Sequence, residues 1–133
     1  MSTPATVSFR ENGSEMVSLY CHWDGYPSGF GAELADFFKG ITVVNGFNAS
    51  QEKVGAFANG FGCAVAQFIA SVKTMVGNIY VQVLGTCDGD YDYVIDYSTD
   101  NHSYLVSAVS YGEEIFKGDI YEFWEFCRAD EEQ

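Results

Sequence analysis

The sequence predicts an α+β domain: an antiparallel sheet of about six strands, with two helices inserted after strand 2 and a short C-terminal helix, in the order ββααββββα. Three patterns carry this prediction. Residues 5–10 and 16–23 alternate between apolar and polar, and the same period of two returns from residue 79 onward. Between them, Val54, Phe57, Phe61, Val65, Phe68, Val72 and Met75 recur at steps of three and four, the stripe of a buried helix. Near the end, Asp119 followed by Glu122 is a D-x-x-E capping box ahead of Ile120, Phe123, Trp124 and Cys127 at helical spacing.

Taken in order, ATVSFR is a strand, and Asn12-Gly13 supplies a hairpin turn into MVSLYCHW. That second strand puts Val17, Leu19, Cys21 and Trp23 on one face. The cluster Asp24-Gly25 and Pro27-Ser28-Gly29 stops it. Residues 30–39 read as a short helix with Leu34, Phe37 and Phe38 inward and Gly40 as its stop. Asn48 with Gln51, or Ser50 in its place, marks the start of the second helix. Gly60 and Gly62 within it point to tight packing or to a break near residue 60, since glycine is costly inside a helix. Residues 78–87 (NIYVQVLGTC) form a strand, CDGD a turn, YDYVIDY a strand, STDNHS a turn, and YLVSAVS and EEIFKG two more strands. The final helix spans 119–128, although I-Y-E-F-W-E-F also alternates as a strand would.

The 133 residues make one domain with one core, and 47% hydrophobic content is enough to build it. No apolar run is long and unbroken enough to span a membrane, so no membrane partner is expected. MSTPATVSF lacks a basic stretch leading into an apolar one, so a cytoplasmic location is expected. Cys21, Cys63, Cys87 and Cys127 are widely separated and read as small buried hydrophobes.

Charge is the strongest global signal. The chain carries −13, and it is lopsided: residues 1–87 hold six acids and four bases, residues 88–133 thirteen acids and two bases. Such a surface repels nucleic acid and attracts basic protein surfaces. The plainer reading is solubility for an aromatic-rich chain. Tyr91, Tyr93, Tyr97 and Tyr104 form a ladder that is core if it faces inward and a contact surface if it faces out.

The stretch YCHWDGYPSGFG offers chemistry, but incomplete chemistry. His22 and Asp24 share a strand face, as a base or metal site needs, yet the only other histidine is His102, in a distant turn. Gly25, Gly29 and Gly31 precede a helix, as in a phosphate cradle, but no cation accompanies them, the nearest in sequence being Arg10 and Lys39. No catalytic residue, metal site or cofactor is assigned, and a non-enzymatic protein is expected.

The run His22-Trp23-Asp24-Gly25-Tyr26-Pro27-Ser28-Gly29 resembles an H-x-D-G-Y-P-x-G motif of small uncharacterised proteins of tailed phages and prophages. Asp90–Asp96 and IFKGDIYEFWEFC are similar to later segments of that group, whereas the Gly- and Ala-rich second helix departs from it. The resemblance implies a phage accessory protein acting in the host cytoplasm, of the kind that includes acidic anti-CRISPR proteins and restriction inhibitors. The leading expectation is an acidic binder that blocks a basic, nucleic-acid-binding surface of a host defence complex without itself touching nucleic acid. Its contact residues would be Asp88, Asp90, Asp92, Asp96, Asp100, Glu113, Glu114 and Glu122, with Tyr91 or Tyr93 as exposed anchors. The alternative is a sponge for a nucleotide immune signal, because the element order loosely resembles an anti-Thoeris sponge family. Its pocket would use His22, Asp24, Tyr26, Gly29 and Gly31. A virion-associated structural protein is a further alternative. Oligomeric state is open, a homodimer included.

Overall fold

The computed structural model describes residues 2–52 and 55–131. A six-stranded sheet is built from β1 (Ala5–Glu11), β2 (Ser14–Cys21), β5 (Ile79–Val81), β6 (Tyr91–Ser98), β7 (Ser103–Ser110) and β8 (Glu113–Gly118), in the order β5-β2-β1-β6-β7-β8. β3 (Thr42–Val44) and β4 (Phe57–Asn59) form a separate parallel pair. The helices are α1 (Ala32–Gly40), α2 (Phe61–Val72) and α3 (Ile120–Glu131). The α+β class, the strand count and the three-helix layout follow the sequence patterns.

The sheet is mixed rather than antiparallel. β1 and β6 run parallel at its centre, with Val7 opposite Tyr93 and Phe9 opposite Ile95. Local patterning cannot show this, because the parallel pair is brought together across about eighty residues of intervening chain. The hairpins β1–β2, β6–β7 and β7–β8 are antiparallel, as their short turns require.

Alternation sends Val7, Phe9, Leu19, Tyr93, Ile95, Val106 and Ala108 to one face, where they are buried. All three helices cover that face. Phe9 lies 5.6 Å from Phe38 of α1 and 5.8 Å from Phe68 of α2, ring centroid to ring centroid, and Tyr93 lies 5.9 Å from Phe123 of α3. The tyrosine ladder therefore faces inward: Tyr93 and Tyr97 are buried, and Tyr91 and Tyr104 half-buried.

On the opposite face, the loop after β5 folds back over β2. Gln82 Nε2 donates to Ser18 Oγ at 3.0 Å and to the carbonyls of Leu19 and Thr86 at 3.3 and 3.1 Å. Ser18 and Thr6 are consequently buried although they sit on the polar face.

Several element boundaries differ from expectation. The second helix starts at Phe61 rather than near residue 50, because Gly60 takes φ +88° and Phe57 is drawn into β4 against Thr42. Val54 lies outside the described residues. Asn48 and Gln51 do form a capping box, with Ser50 N–H donating to Asn48 Oδ1, but it closes a single 3-10 turn, Ala49–Gln51. The strand over 78–87 shortens to three residues, since Gln82 turns the chain onto β2. A π-helical turn, Pro27–Gly31, precedes α1, and Gly40 is the last residue of α1. The terminal segment is a helix and not a strand: Glu122 N–H donates to Asp119 Oδ1 at 2.8 Å, and Asp119 N–H to Glu122 Oε1 at 3.0 Å.

Phe9 touches rings from both α1 and α2, so Phe9→Ala should lower the unfolding free energy by about 3–5 kcal/mol. Urea denaturation of the purified variant measures it.

Candidate partner-binding surface

The residues of YCHWDGYPSGFG do not converge on a ligand. His22 turns to Tyr20, with the phenol oxygen 2.9 Å from Nδ1, and packs edge-on to Trp23. His102 sits in the β6–β7 turn at the other end of the sheet, beside Tyr97. The two histidines therefore never meet. Asp24, at φ +57°, accepts from the Tyr26 hydroxyl at 3.1 Å, and its carbonyl accepts from Phe30 N–H.

The glycines are filled in from behind rather than open. A Cβ on Gly29 would collide with the Asp24 carbonyl oxygen, and one on Gly31 would sit 3.2 Å from both Cys127 Sγ and the Tyr93 hydroxyl oxygen. The N–H groups of Gly29, Phe30 and Gly31, which a phosphate would need, already donate to the Tyr26 and Asp24 carbonyls. Gly31 serves close packing of α1's entry against α3 and β6, and Gly29 the tight turn over Asp24 and Tyr26. The stretch is instead locked to the core by Tyr93, whose hydroxyl donates to the Gly25 carbonyl at 2.7 Å.

Four hollows are larger than 200 Å³: about 420 Å³ beside β4 and α2, 380 Å³ beside Asp96 and Tyr104, 320 Å³ around Tyr97 and His102, and 220 Å³ where Cys21, Trp23 and Asp24 of this stretch meet Glu33 and Asn78. Among the described residues none of the four has a lysine or arginine in its lining, and each includes a carboxylate: Glu52, Asp96, Glu11, or Asp24 with Glu33. Burial, reinforced by Asp24, pushes the Glu33 carboxyl above its usual value. Such linings disfavour a nucleotide.

The acidic candidates separate into two groups. Asp92 is committed internally: its Oδ1 accepts from the Thr6 hydroxyl at 2.6 Å and from Gly89 N–H at 3.0 Å. Asp96 accepts from Gly13 N–H and pins the first hairpin turn, and Glu122 completes the α3 cap. Asp100 lies in the β6–β7 turn, away from the rest. Tyr93 is 1% exposed and is core, so it cannot anchor a partner; Tyr91 is half-buried and stacks on it.

Asp90, Glu113 and Glu114 lie at one end of the sheet, where β6 begins and β7 ends, with Asp88 two residues before Asp90 in the preceding loop. Tyr91 pairs with Ser110, and Ser110 pairs with Glu113. Ser110 Oγ donates to the Asp90 carbonyl at 3.0 Å, and Asp90 N–H to the Pro4 carbonyl at 2.9 Å, so loop and hairpin tip are fastened to each other. Between them stands Tyr111, in the β7–β8 turn at φ +49° and 81% exposed. The charge of Asp90 beside it raises its phenol pKa above the ordinary value. Sequence reading overlooked Tyr111 because it falls in a turn, outside the alternating ladder. The Y-G pair between two strands was the available signal.

Among the described residues, four cations are occupied elsewhere, and Lys117 lies in β8, three residues after Glu114. Lys39 Nζ and the Arg128 guanidinium lie 4.0 and 4.5 Å from the Trp124 ring centroid, and Trp124 Nε1–H donates to Asp36 at 2.7 Å. Lys73 Nζ donates to the Ile79 carbonyl at 2.9 Å, and Arg10 Nε to Ser8 Oγ at 3.0 Å. No helix of the described residues is long and apolar enough to cross a membrane. Comparison with protein-family models, with curated proteins and with solved structures finds no match.

The cysteines divide by environment. Cys21 and Cys127 are buried, and desolvation pushes their thiols up to about 11 and about 12, whereas Cys87 is exposed. Because the thiolate is the reactive form, iodoacetamide at pH 8 should modify Cys87 first. Cys21 and Cys127 should stay unmodified until denaturant is added, as read by peptide mass spectrometry.

Proposed function

We propose that this chain is a phage-encoded acidic binding protein that acts without catalysis by blocking a basic, nucleic-acid-binding surface of a host defence complex. One observation carries the docking part of this reading: exposed Tyr111 stands beside Asp90, in the turn that leads into Glu113 and Glu114, on a hairpin tip that is hydrogen-bonded in place. An aromatic ring beside carboxylates suits a partner that presents arginine and lysine, since the ring adds contact area and a cation–π face to charge attraction. Acidic charge steers the encounter and makes it salt-dependent. The phage origin and the defence target are supported by the H-x-D-G-Y-P-x-G resemblance.

The test combines capture and competition. The immobilised protein should retain a basic nucleic-acid-binding protein from host lysate at low salt, release it as salt rises, and lose it to added DNA. Asp88→Asn, Asp90→Asn, Glu113→Gln and Glu114→Gln together should weaken capture at least about tenfold, and Tyr111→Ala should weaken it at unchanged salt dependence. If no basic partner is retained, or neutralising these four carboxylates leaves capture unchanged, the reading fails.

A further inference from the structure

The opposite edge of the sheet carries a surface that the acidic reading does not use. Between Gly55 and Cys87 the sequence has one charged residue, Lys73. Within that stretch Val76, Val83 and Val81 are 97%, 79% and 75% exposed, and Met75, Tyr80 and Leu84 are exposed beside them. The cause is architectural. Ile79 is buried beneath the end of α2, but Val81, paired with the fully buried Leu19, is exposed, so the helical cover gives out within β5. Exposed apolar side chains concentrated on one edge strand and its flanks, on a charged protein, mark a contact surface.

The backbone points the same way. Asn78 accepts from His22 N–H and Gln82 N–H donates to the Ser18 carbonyl, so within β5 Tyr80 faces β2, while the amides and carbonyls of Ile79 and Val81 face outward. Lys73 Nζ occupies one of them, the Ile79 carbonyl. The remaining groups form an open edge, which pairs most simply with an identical edge across a two-fold axis.

We infer that β5 and the apolar segment from Met75 to Leu84 form the contact between two copies of this chain. Charge selects the occupant. A copy carrying −13 is repelled from the acidic surfaces, and a basic partner is drawn to them rather than here. Patch against patch brings together segments whose own one charge is Lys73, with Glu15 beside Gly85 and Asp24 and Glu33 beside Met75 at the margins. It also keeps Glu113 and Glu114 of each copy far from the join, since β5 and β8 are opposite edges separated by five strand spacings, about 24 Å, well beyond a Debye length, while Asp88 and Asp90 lie nearer, on the loop that leaves β5 for β6.

Sedimentation velocity across micromolar concentrations tests this. The wild-type chain should give a species of twice its 14.7 kDa mass, and that species should persist in about 1 M NaCl, where charge-driven contacts are screened. Val81→Asp and Val83→Asp change exposed side chains, so circular dichroism should show the fold retained while dimerisation weakens at least about tenfold. Amide exchange over residues 79–84 should slow as wild-type concentration rises. A wild-type chain that stays monomeric, even if some other protein binds the patch, overturns the inference. So does a dimer that either substitution leaves unchanged. Neutralising Asp88, Asp90, Glu113 and Glu114 should leave the dimer intact, so this inference and the acidic-surface reading fail separately.

Discussion

The parallel pairing of β1 with β6 is the contact on which the rest depends. It sets two strands side by side that are separated by the whole αβ excursion, and it is flanked by the two hairpins that complete the sheet. Its register puts Val7 beside Tyr93, and Tyr93 reaches through the layer to the Gly25 carbonyl. That hydrogen bond, with Phe30 and Phe123 packed on the same ring, ties the end of β2, the entry of α1 and the body of α3 to one side chain. A buried tyrosine hydroxyl needs a partner, and a buried carbonyl loses more when left alone than the bond itself contributes. The glycines that admit Tyr93 and Cys127 so close to the chain are therefore requirements of packing. They resemble a ligand cradle only in one dimension.

What was legible in the sequence was local. Alternation located the long strands, Asn12-Gly13 and the β-turn clusters located their connections, and Asp119 with Glu122 fixed the start of the last helix to within a residue, though the helix runs on to Glu131 rather than ending at 128. These signals work because turn chemistry and capping act over three or four residues. The parallel direction of β6 was not legible, because nothing in VSF or YDYVIDY records which way a distant strand will run. The helical stripe misled at its start: Phe57 fits a period of 3.6 as well as it fits a three-residue strand, and the decision was made by the positive φ of Gly60 and by pairing with Thr42.

The functional surface was partly legible for a related reason. Net charge identifies a region, and the structure then sorts its members by occupation. Asp92 and Asp96 look identical to Asp88 and Asp90 in sequence, yet the first pair holds Thr6, Gly89 and Gly13 in place while the second lies at an open end. An alternating aspartate in a strand interior finds a neighbour's hydroxyl or amide, whereas one in the preceding turn does not have to. Tyrosines follow the same logic. The three that alternate in β6, Tyr91, Tyr93 and Tyr97, turn to the core, whereas Tyr111, in the β7–β8 turn, is exposed.

The strand order gives these features a common geometry. Its two ends differ in kind: β5 is apolar and covered only in part, and β8 begins with two glutamates beside a tyrosine. Because the helices cover one face only and their cover gives out within β5 after Ile79, the molecule has an apolar edge and an acidic edge rather than a uniform surface. A join at the apolar edge would set two acidic tips on opposite sides of one particle. Two such tips on a rigid body engage a basic partner with paired sites more tightly than either does alone, provided the spacing matches. In that arrangement the short, poorly covered β5 is a consequence of the fold's asymmetry, and the same asymmetry that leaves it bare keeps the charged surface free to bind.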